Sequence, residues 1–380
     1  MSDHKFTVMQ VLPSLESGGV ERGTLEVSKA LCQAGHRSIV VSAGGRMVPE
    51  LEQAGAEHIE WTIGKKSLST FKYVLRLRRY LKKHPVDILH ARSRLPAWIA
   101  YLAWKGMDKN TRPRFVTTVH GLYSVKKYSS IMIRGEVVIA VSKTVKQYIM
   151  DNYPEVPENI IKLIYRGVDA DEFPYGYQPE ASWLAEWYRQ YPKLKDKKVV
   201  TLPGRLTRLK GHEDFIKLMA KLCESNPSIM GLIVGGEDPR RLAYAQEIKE
   251  KVQAAGLQKN IIFTGYRKDM REIYAISDVV LSLSKKPESF GRTSLEALSL
   301  GTPVIAYGHG GVGEILRDVY PSGCVEQDNL NALASRVNDT LKEPTPVPAE
   351  HEFKLKNMLT STLALYEELV PAQAEGAKNA

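Results

Sequence analysis

Two glutamates, Glu288 and Glu296, stand eight positions apart in the stretch KKPESFGRTSLEALSLGTPVIA, with Phe290, Gly291 and Arg292 between them. Pro287 and Gly291 disfavour continuous helix before 291, whereas residues from Arg292 to Leu300 are good helix formers followed by a capping Gly301. The pattern puts Glu288 in a loop and Glu296 inside the helix that follows. Backbone N–H groups near Gly291 and Arg292 are left over at the helix start, which makes an anion site. A carboxylate beside that site would repel a bare phosphate. It suits a ligand with an anionic middle and hydroxyl-bearing ends, such as a nucleotide sugar. The competing reading is a solvated helix with two surface glutamates.

Four further stretches bear on the chemistry. In LESGGVERG, Gly18 and Gly19 follow the first strand and precede a helix, where ligands meet strand ends in doubly wound sheets; a plain tight turn competes. In LPGRLTRLKGH, Arg205 and Lys210 lie in the loop after a strand ending at Gly204, and two cations there suit a pyrophosphate; a solvated basic loop competes. GHGGVGE places Gly308, Gly310 and Gly313 in a literal GxGxxG, but late in its domain, so nicotinamide binding is not expected. His90 and His120 close two strands, where a histidine can face a crevice or simply pack. Asp169 and Asp171 form a DxD with no third ligand in sight, so a loop role and no metal are expected.

The elements that must position these residues alternate along the chain. Strand patterns such as FTVMQVLP, SIVVSA, DILHA, RFVTTVH, VVIAVS and IIKLIY fill the first half, with helices over 20–34, 68–84, 94–105 and 142–150. KVVTLPG, MGLIVGG, NIIFTGY, DVVLSLS and TPVIAYG fill the second, with helices over 212–225, 240–255, 292–300 and 329–342. Such alternation predicts an α/β protein of two Rossmann-like, doubly wound parallel-sheet domains. The expected boundaries are 1–170, a linker with a short helix over 171–196, and 197–345. A last helix is expected at about 350–369, within a segment 346–370 that follows a proline-rich stretch, and then a disordered tail over 371–380.

A chain of 380 residues with 43% hydrophobic and 25% charged residues describes a soluble globular class, and no apolar run approaches a membrane span. No basic region followed by an apolar core opens the sequence, and three scattered cysteines fit a reducing compartment, so a cytoplasmic location is expected. The net charge of +10 is uneven. Residues 1–170 hold 26 Lys and Arg against 15 Asp and Glu, and the remainder 27 against 28. Nucleic acid, an acidic substrate, an anionic membrane face or a merely soluble surface each fit that surplus.

The motif order GGxER, a strand-end His, RGVD, GRLxxxKG, ExFGxxxxEA, GTPVIA and GGxxE resembles the retaining glycosyltransferases of glycosyltransferase family 4, over nearly all of residues 6 to 342. The lipopolysaccharide-core and phosphatidylinositol mannosyl branches are the nearest in pattern. The resemblance implies the GT-B fold, with the two domains facing across a cleft and the last helix crossing back to the first. It implies a nucleotide-diphosphate-sugar donor, a lipid-linked or glycan acceptor, and no metal or other cofactor. Gly18 and Gly19 would approach the donor pyrophosphate or the acceptor, and Arg205 and Lys210 would bind the donor phosphates. Glu288 would hold donor-sugar hydroxyls, with backbone N–H groups near Phe290, Gly291 and Arg292 on the sugar or phosphate. Glu296 would bind the ribose, and His120 would lie beside the donor sugar. Arg166 stands where many members have Asn, and Gly313 where Pro is frequent.

One helix pattern stands apart. In SLSTFKYVLRLRRYLKKHP, Lys72, Arg76, Arg79 and Lys83 fall on one narrow stripe, with Phe71, Val74, Leu77 and Leu81 largely on another side. An ordinary surface helix explains this. So does docking on an anionic membrane, peripheral to its inner face, to reach a lipid-linked or phosphorylated acceptor. Nucleic acid is not expected as a partner. A sugar-nucleotide epimerase and a non-enzymatic basic binding protein are the competing functions.

Overall fold

The computed structural model describes residues 5–16, 18–237 and 242–370, and the chain divides into two compact units. One runs to Tyr165 and resumes at Lys356; the other spans Arg166–Leu355. The expected tail over 371–380 and the first two residues of the helix expected at 240–255 lie outside the described residues.

The first unit is built on seven parallel strands: β1 (Thr7–Val11), β2 (Arg37–Ser42), β3 (Glu57–Glu60), β4 (Ile88–Ala91), β5 (Arg114–Val119), β6 (Val137–Ala140) and β7 (Ile161–Leu163). Their order is β3-β2-β1-β4-β5-β6-β7, so the connection reverses between β1 and β4. In β1, β4 and β6 every residue is buried, as sheets covered on both faces require. The covering helices are α1 (Gly19–Gln33), α2 (Val48–Gln53), α3 (Lys72–Lys83), α4 (Arg94–Lys105) and α5 (Lys143–Asn152). Strand β3, with sequence EHIE, was not among the expected strands because its charged ends give it no apolar run; it survives as an edge strand paired only to β2.

The second unit contains α6 (Ala181–Gln190), β8 (Lys198–Pro203), α7 (His212–Ser225), β9 (Ile229–Val234), α8 (Leu242–Ala254), β10 (Ile261–Gly265), α9 (Met270–Ala275), β11 (Val279–Ser282), α10 (Arg292–Ser299), β12 (Val304–Tyr307), α11 (Gly310–Val319), β13 (Cys324–Val325) and α12 (Leu330–Lys342). All six strands are parallel, in the order β10-β9-β8-β11-β12-β13, with the reversal between β8 and β11. Helices α9 and α11 and strand β13 are additions to the elements expected from sequence.

Two expectations need correction. The segment 171–196, expected as a linker with a short helix, carries that helix as α6 but packs on the second unit: Trp187 and Leu194 are buried with Val199, Met230, Leu232 and Val234 on one face of the sheet. Trp183 and Trp187, four apart on α6, stack at 5.0 Å and make that face adhesive. Phe71, grouped by periodicity with Val74, Leu77 and Leu81, parts from Leu77 and Leu81, which are buried, and is 47% exposed. Residues Leu68–Phe71 form a 3-10 turn capped by Ser67, and Phe71 stands four positions before exposed Leu75, on the side of α3 opposite buried Tyr73. Tyr73 is buried instead, its ring 5.7 Å from Trp61 and its hydroxyl 2.9 Å from the Thr62 Oγ1.

The last helix, α13 (Leu355–Leu369), belongs to the first unit from Lys356 onward. Its Tyr366 hydroxyl lies 2.6 Å from His90 Nδ1, and His90 Nε2 lies 2.7 Å from Thr118 Oγ1. His90 is therefore a packed histidine that ties β4 and β5 to α13.

Candidate active site

The carboxyl ends of β8, β11 and β12 meet at the reversal of strand order in the second unit, where doubly wound sheets bind ligands. Close backbone approach brings their loops together. The chain leaves β8 through Gly204 (φ 137°), and a Cβ on Gly235 would lie 1.9 Å from the Gly204 carbonyl oxygen. It then turns through Arg208–Lys210 into Gly211 (φ 75°), where a Cβ would lie 2.0 Å from the Leu283 carbonyl oxygen. Only glycine fits there, and the fit carries Lys210 to the loop after β11.

Lys210 Nζ donates to Glu288 Oε1 at 2.7 Å, and Ser284 Oγ donates to the same oxygen. Burial pulls the Glu288 carboxyl up. The Lys210 ammonium, the two hydrogen bonds and His309 outweigh it and hold the carboxyl below the usual range. His309 in turn lies 3.0 Å from the Ser284 carbonyl oxygen through Nε2. Neither Ser284 nor His309 was singled out from sequence; a serine at a strand end and a histidine among glycines carry no motif of their own.

The GHGGVGE glycines acquire a role from this packing. The Gly311 N–H donates to the Glu288 carbonyl at 2.8 Å. A Cβ on Gly310 (φ 64°) would lie 2.7 Å from that oxygen, and one on Gly311 would lie 2.4 Å from Phe290 Cα. The glycines let the start of α11 press against the 287–290 loop, and so they fix Glu288.

Gly291 (φ 104°) caps α10 in the left-handed conformation, and no side chain caps that helix N-terminus. Phe290 is buried against Phe353 with ring centroids 6.1 Å apart, so it has only its backbone to offer a ligand. Glu296 lies inside α10, bonded to Arg292 Nε at 3.0 Å and 3.5 Å from the Tyr274 hydroxyl. Burial pushes its carboxyl up to about 7 against the opposing pull of Arg292. Both glutamates are therefore engaged groups, not solvated ones. Arg205 is exposed and has no ion-pair or hydrogen-bond partner among the described residues, whereas Arg208 is committed to Glu247 and Glu213.

In the first unit, Gly18 (φ 142°) and Gly19 open α1 after β1, and a Cβ on Gly19 would meet nothing within 4 Å. His120 follows β5 and is half-buried. Lys72, Arg76, Arg79 and Lys83 are exposed on α3. Asp169 Oδ1 accepts the Asp171 N–H at 3.0 Å, a local turn contact.

The arrangement offers the Lys210 ammonium held on Glu288, an exposed Arg205, a helix N-terminus without a side-chain cap and a carboxylate kept below its usual range within one loop cluster, which is chemistry for a sugar joined to a diphosphate. Comparison with known proteins bears on the family. Residues 17–172 match the model described as Glycosyltransferase Family 4, and 185–357 match Glycosyl transferases group 1. A glycosyltransferase from Rickettsia africae is 33% identical with a TM-score of 0.83, over 97% of this chain and 100% of that one. YtcC of Bacillus subtilis is 27% identical over 62% of this chain and 59% of its own length, so the chain spans about three-fifths of that relative. Anabaena Alr3699/HepE, solved with UDP and glucose, shares the fold at a TM-score of 0.80 and 20% identity, over 96% of this chain and 100% of that one. With two parallel-sheet α/β units, these matches and that site, the chain belongs to the glycosyltransferases of GT-B fold, with family 4 and group 1 domains.

Proposed function

We propose that this protein transfers a sugar from a nucleoside-diphosphate-sugar donor to a hydroxyl of a lipid-linked or glycan acceptor, with retention at the anomeric carbon. The observation that carries this reading is the Lys210–Glu288 pair, held by Ser284 beside the N-terminus of α10, which has no side-chain cap. The bond from the anomeric carbon to the diphosphate oxygen breaks with its electron pair going to the diphosphate. The acceptor oxygen bonds the same face, and its proton passes to the departing phosphate oxygen. Lys210 and Arg205 supply positive charge where negative charge develops, and the N–H groups of Gly291 and Arg292 add their dipoles. Glu288 holds donor-sugar hydroxyls, and Glu296 holds the ribose. The motif order supports His120 as a further residue for the donor sugar.

The bound UDP of Anabaena Alr3699/HepE supports a nucleotide donor, and the motif order supports a cell-envelope acceptor of the lipopolysaccharide-core kind. The test is thermal-shift screening with UDP, GDP, ADP and their sugars, followed by turnover with the donor selected and NMR of the new linkage. A selected ligand at a hundred times its dissociation constant should stabilise by about 2.7 kcal/mol. No shift with any nucleotide, or an inverted product, refutes the reading. Turnover of the donor without an acceptor would favour an epimerase.

A further inference from the structure

The first unit carries a surface that the chemistry above does not use. Between Trp61 and Val86 the sequence has eight Lys and Arg and no Asp or Glu. Lys65, Lys66, Lys72, Arg76, Arg79, Lys82 and Lys83 are exposed. Along the same stretch, three large apolar side chains are also in solvent: Leu68 at 88%, Phe71 at 47% and Leu75 at 54% exposure. Their spacing is i, i+3 and i+7, so they form one ridge along the 3-10 turn and α3. At about 100° per residue, Leu75 lies about 60° around the axis from Lys72 and about 40° from Arg79. Tyr73, Leu77 and Leu81 face the core on the other side and anchor the helix. Arg76 lies over the Trp61 ring at 4.6 Å.

We infer that this face docks on an anionic lipid bilayer, with Leu68, Phe71 and Leu75 entering the acyl boundary and the basic residues holding the headgroups. Charge complementarity demands a polyanionic partner. Leucines in open solvent add nothing to binding a nucleic acid, which is read by cations, hydrogen bonds and stacking. They do add to binding at a membrane interface, where buried apolar area and basic charge act together. No described helix is long and apolar enough to cross a membrane, so the element lies along the surface. The inference rests on the surface of the first unit and not on the donor chemistry.

The test uses the full chain with phosphatidylcholine vesicles, with and without phosphatidylglycerol. The parent should sediment with the anionic vesicles at low salt, and high salt should weaken binding only in part. The L68S/F71S/L75S variant should lose at least about tenfold in partitioning at either salt, because its apolar term is gone. Its nucleotide thermal shift should match the parent's, which separates failure here from failure of the donor reading. In F71W, emission should be quenched by lipids brominated on the acyl chain. No binding by the parent at low salt, parental binding by the triple variant, or unquenched F71W would overturn the inference. So would tighter binding to nucleic acid than to vesicles at equal salt, or a dimer that the triple variant dissolves.

Discussion

Replacing Lys210 by Met keeps the aliphatic stem and removes the ammonium that sits 2.7 Å from Glu288 Oε1. Two losses follow. The departing diphosphate loses a fixed charge, and a preorganised donor of that kind is worth about 10²–10³ in kcat, or about 2.7–4 kcal/mol. The Glu288 carboxylate also loses its counter-charge. Burial, the largest influence on it, then pulls its pKa up with only Ser284 and His309 opposing. Activity of K210M should therefore show a loss at low pH beyond the parent's own profile, as pH drops and Glu288 takes up a proton. The fold should suffer little: the two side chains are 29% and 23% exposed, and partial hydration limits the cost to about 1 kcal/mol. E288Q should fall by about two orders of magnitude, and the double variant should be no worse than the poorer single, because the pair acts as one unit. The assay is nucleoside-diphosphate release at saturating donor and acceptor, with thermal unfolding in parallel. A K210M kcat within about threefold of the parent, or fully additive losses, refutes the assignment.

Glu296 makes stability pH-dependent: its carboxyl is raised from 4.5 to about 7, so the folded state holds an extra proton between those values. Stability from this group is present below pH 4.5 and lost as pH rises through 7; E296Q should flatten the slope of Tm against pH, which is worth about 3 kcal/mol over the window, and an unchanged slope would refute the burial argument. With protein cations neutralising the diphosphate, EDTA should leave turnover largely unchanged; loss of activity that magnesium or manganese restores would show that the charge comes from a metal. Gly311→Ala puts a Cβ 2.4 Å from Phe290 Cα and should cost about 1–3 kcal/mol by overpacking while weakening donor binding, measured by calorimetry. Parental Tm and affinity would mean that α11 does not fix the Glu288 loop.

The sequence by itself determined the elements and the chemistry class. Runs such as VVIAVS and the MGLIV of MGLIVGG, buried at every position, can only be strands covered on both faces, and alternation with helices made the sheets parallel. Pro287 and Gly291 placed Glu288 in a loop and Glu296 in a helix, as α10 shows, because φ restrictions act locally and need no tertiary contact. Strand β3 and helix α9 left little local trace, since EHIE and MREIYA lack a full period of apolar residues and are held by neighbours.

What only the tertiary structure decided were pairings between residues far apart in the chain. Nothing local says that Lys210 reaches Glu288, 78 positions on, or that His90 is consumed by Tyr366, 276 positions on. The glycines of GHGGVGE looked like a dinucleotide fingerprint because a small residue permits close approach without naming what approaches. Packing supplied the partner, the Glu288 loop. Exposure behaves likewise: periodicity set Phe71, Leu77 and Leu81 apart from the basic stripe, but packing buried Leu77 and Leu81 and left Phe71 in solvent. A pattern of side chains fixes which face a helix prefers to bury; the register with its neighbours fixes which residues it leaves to water.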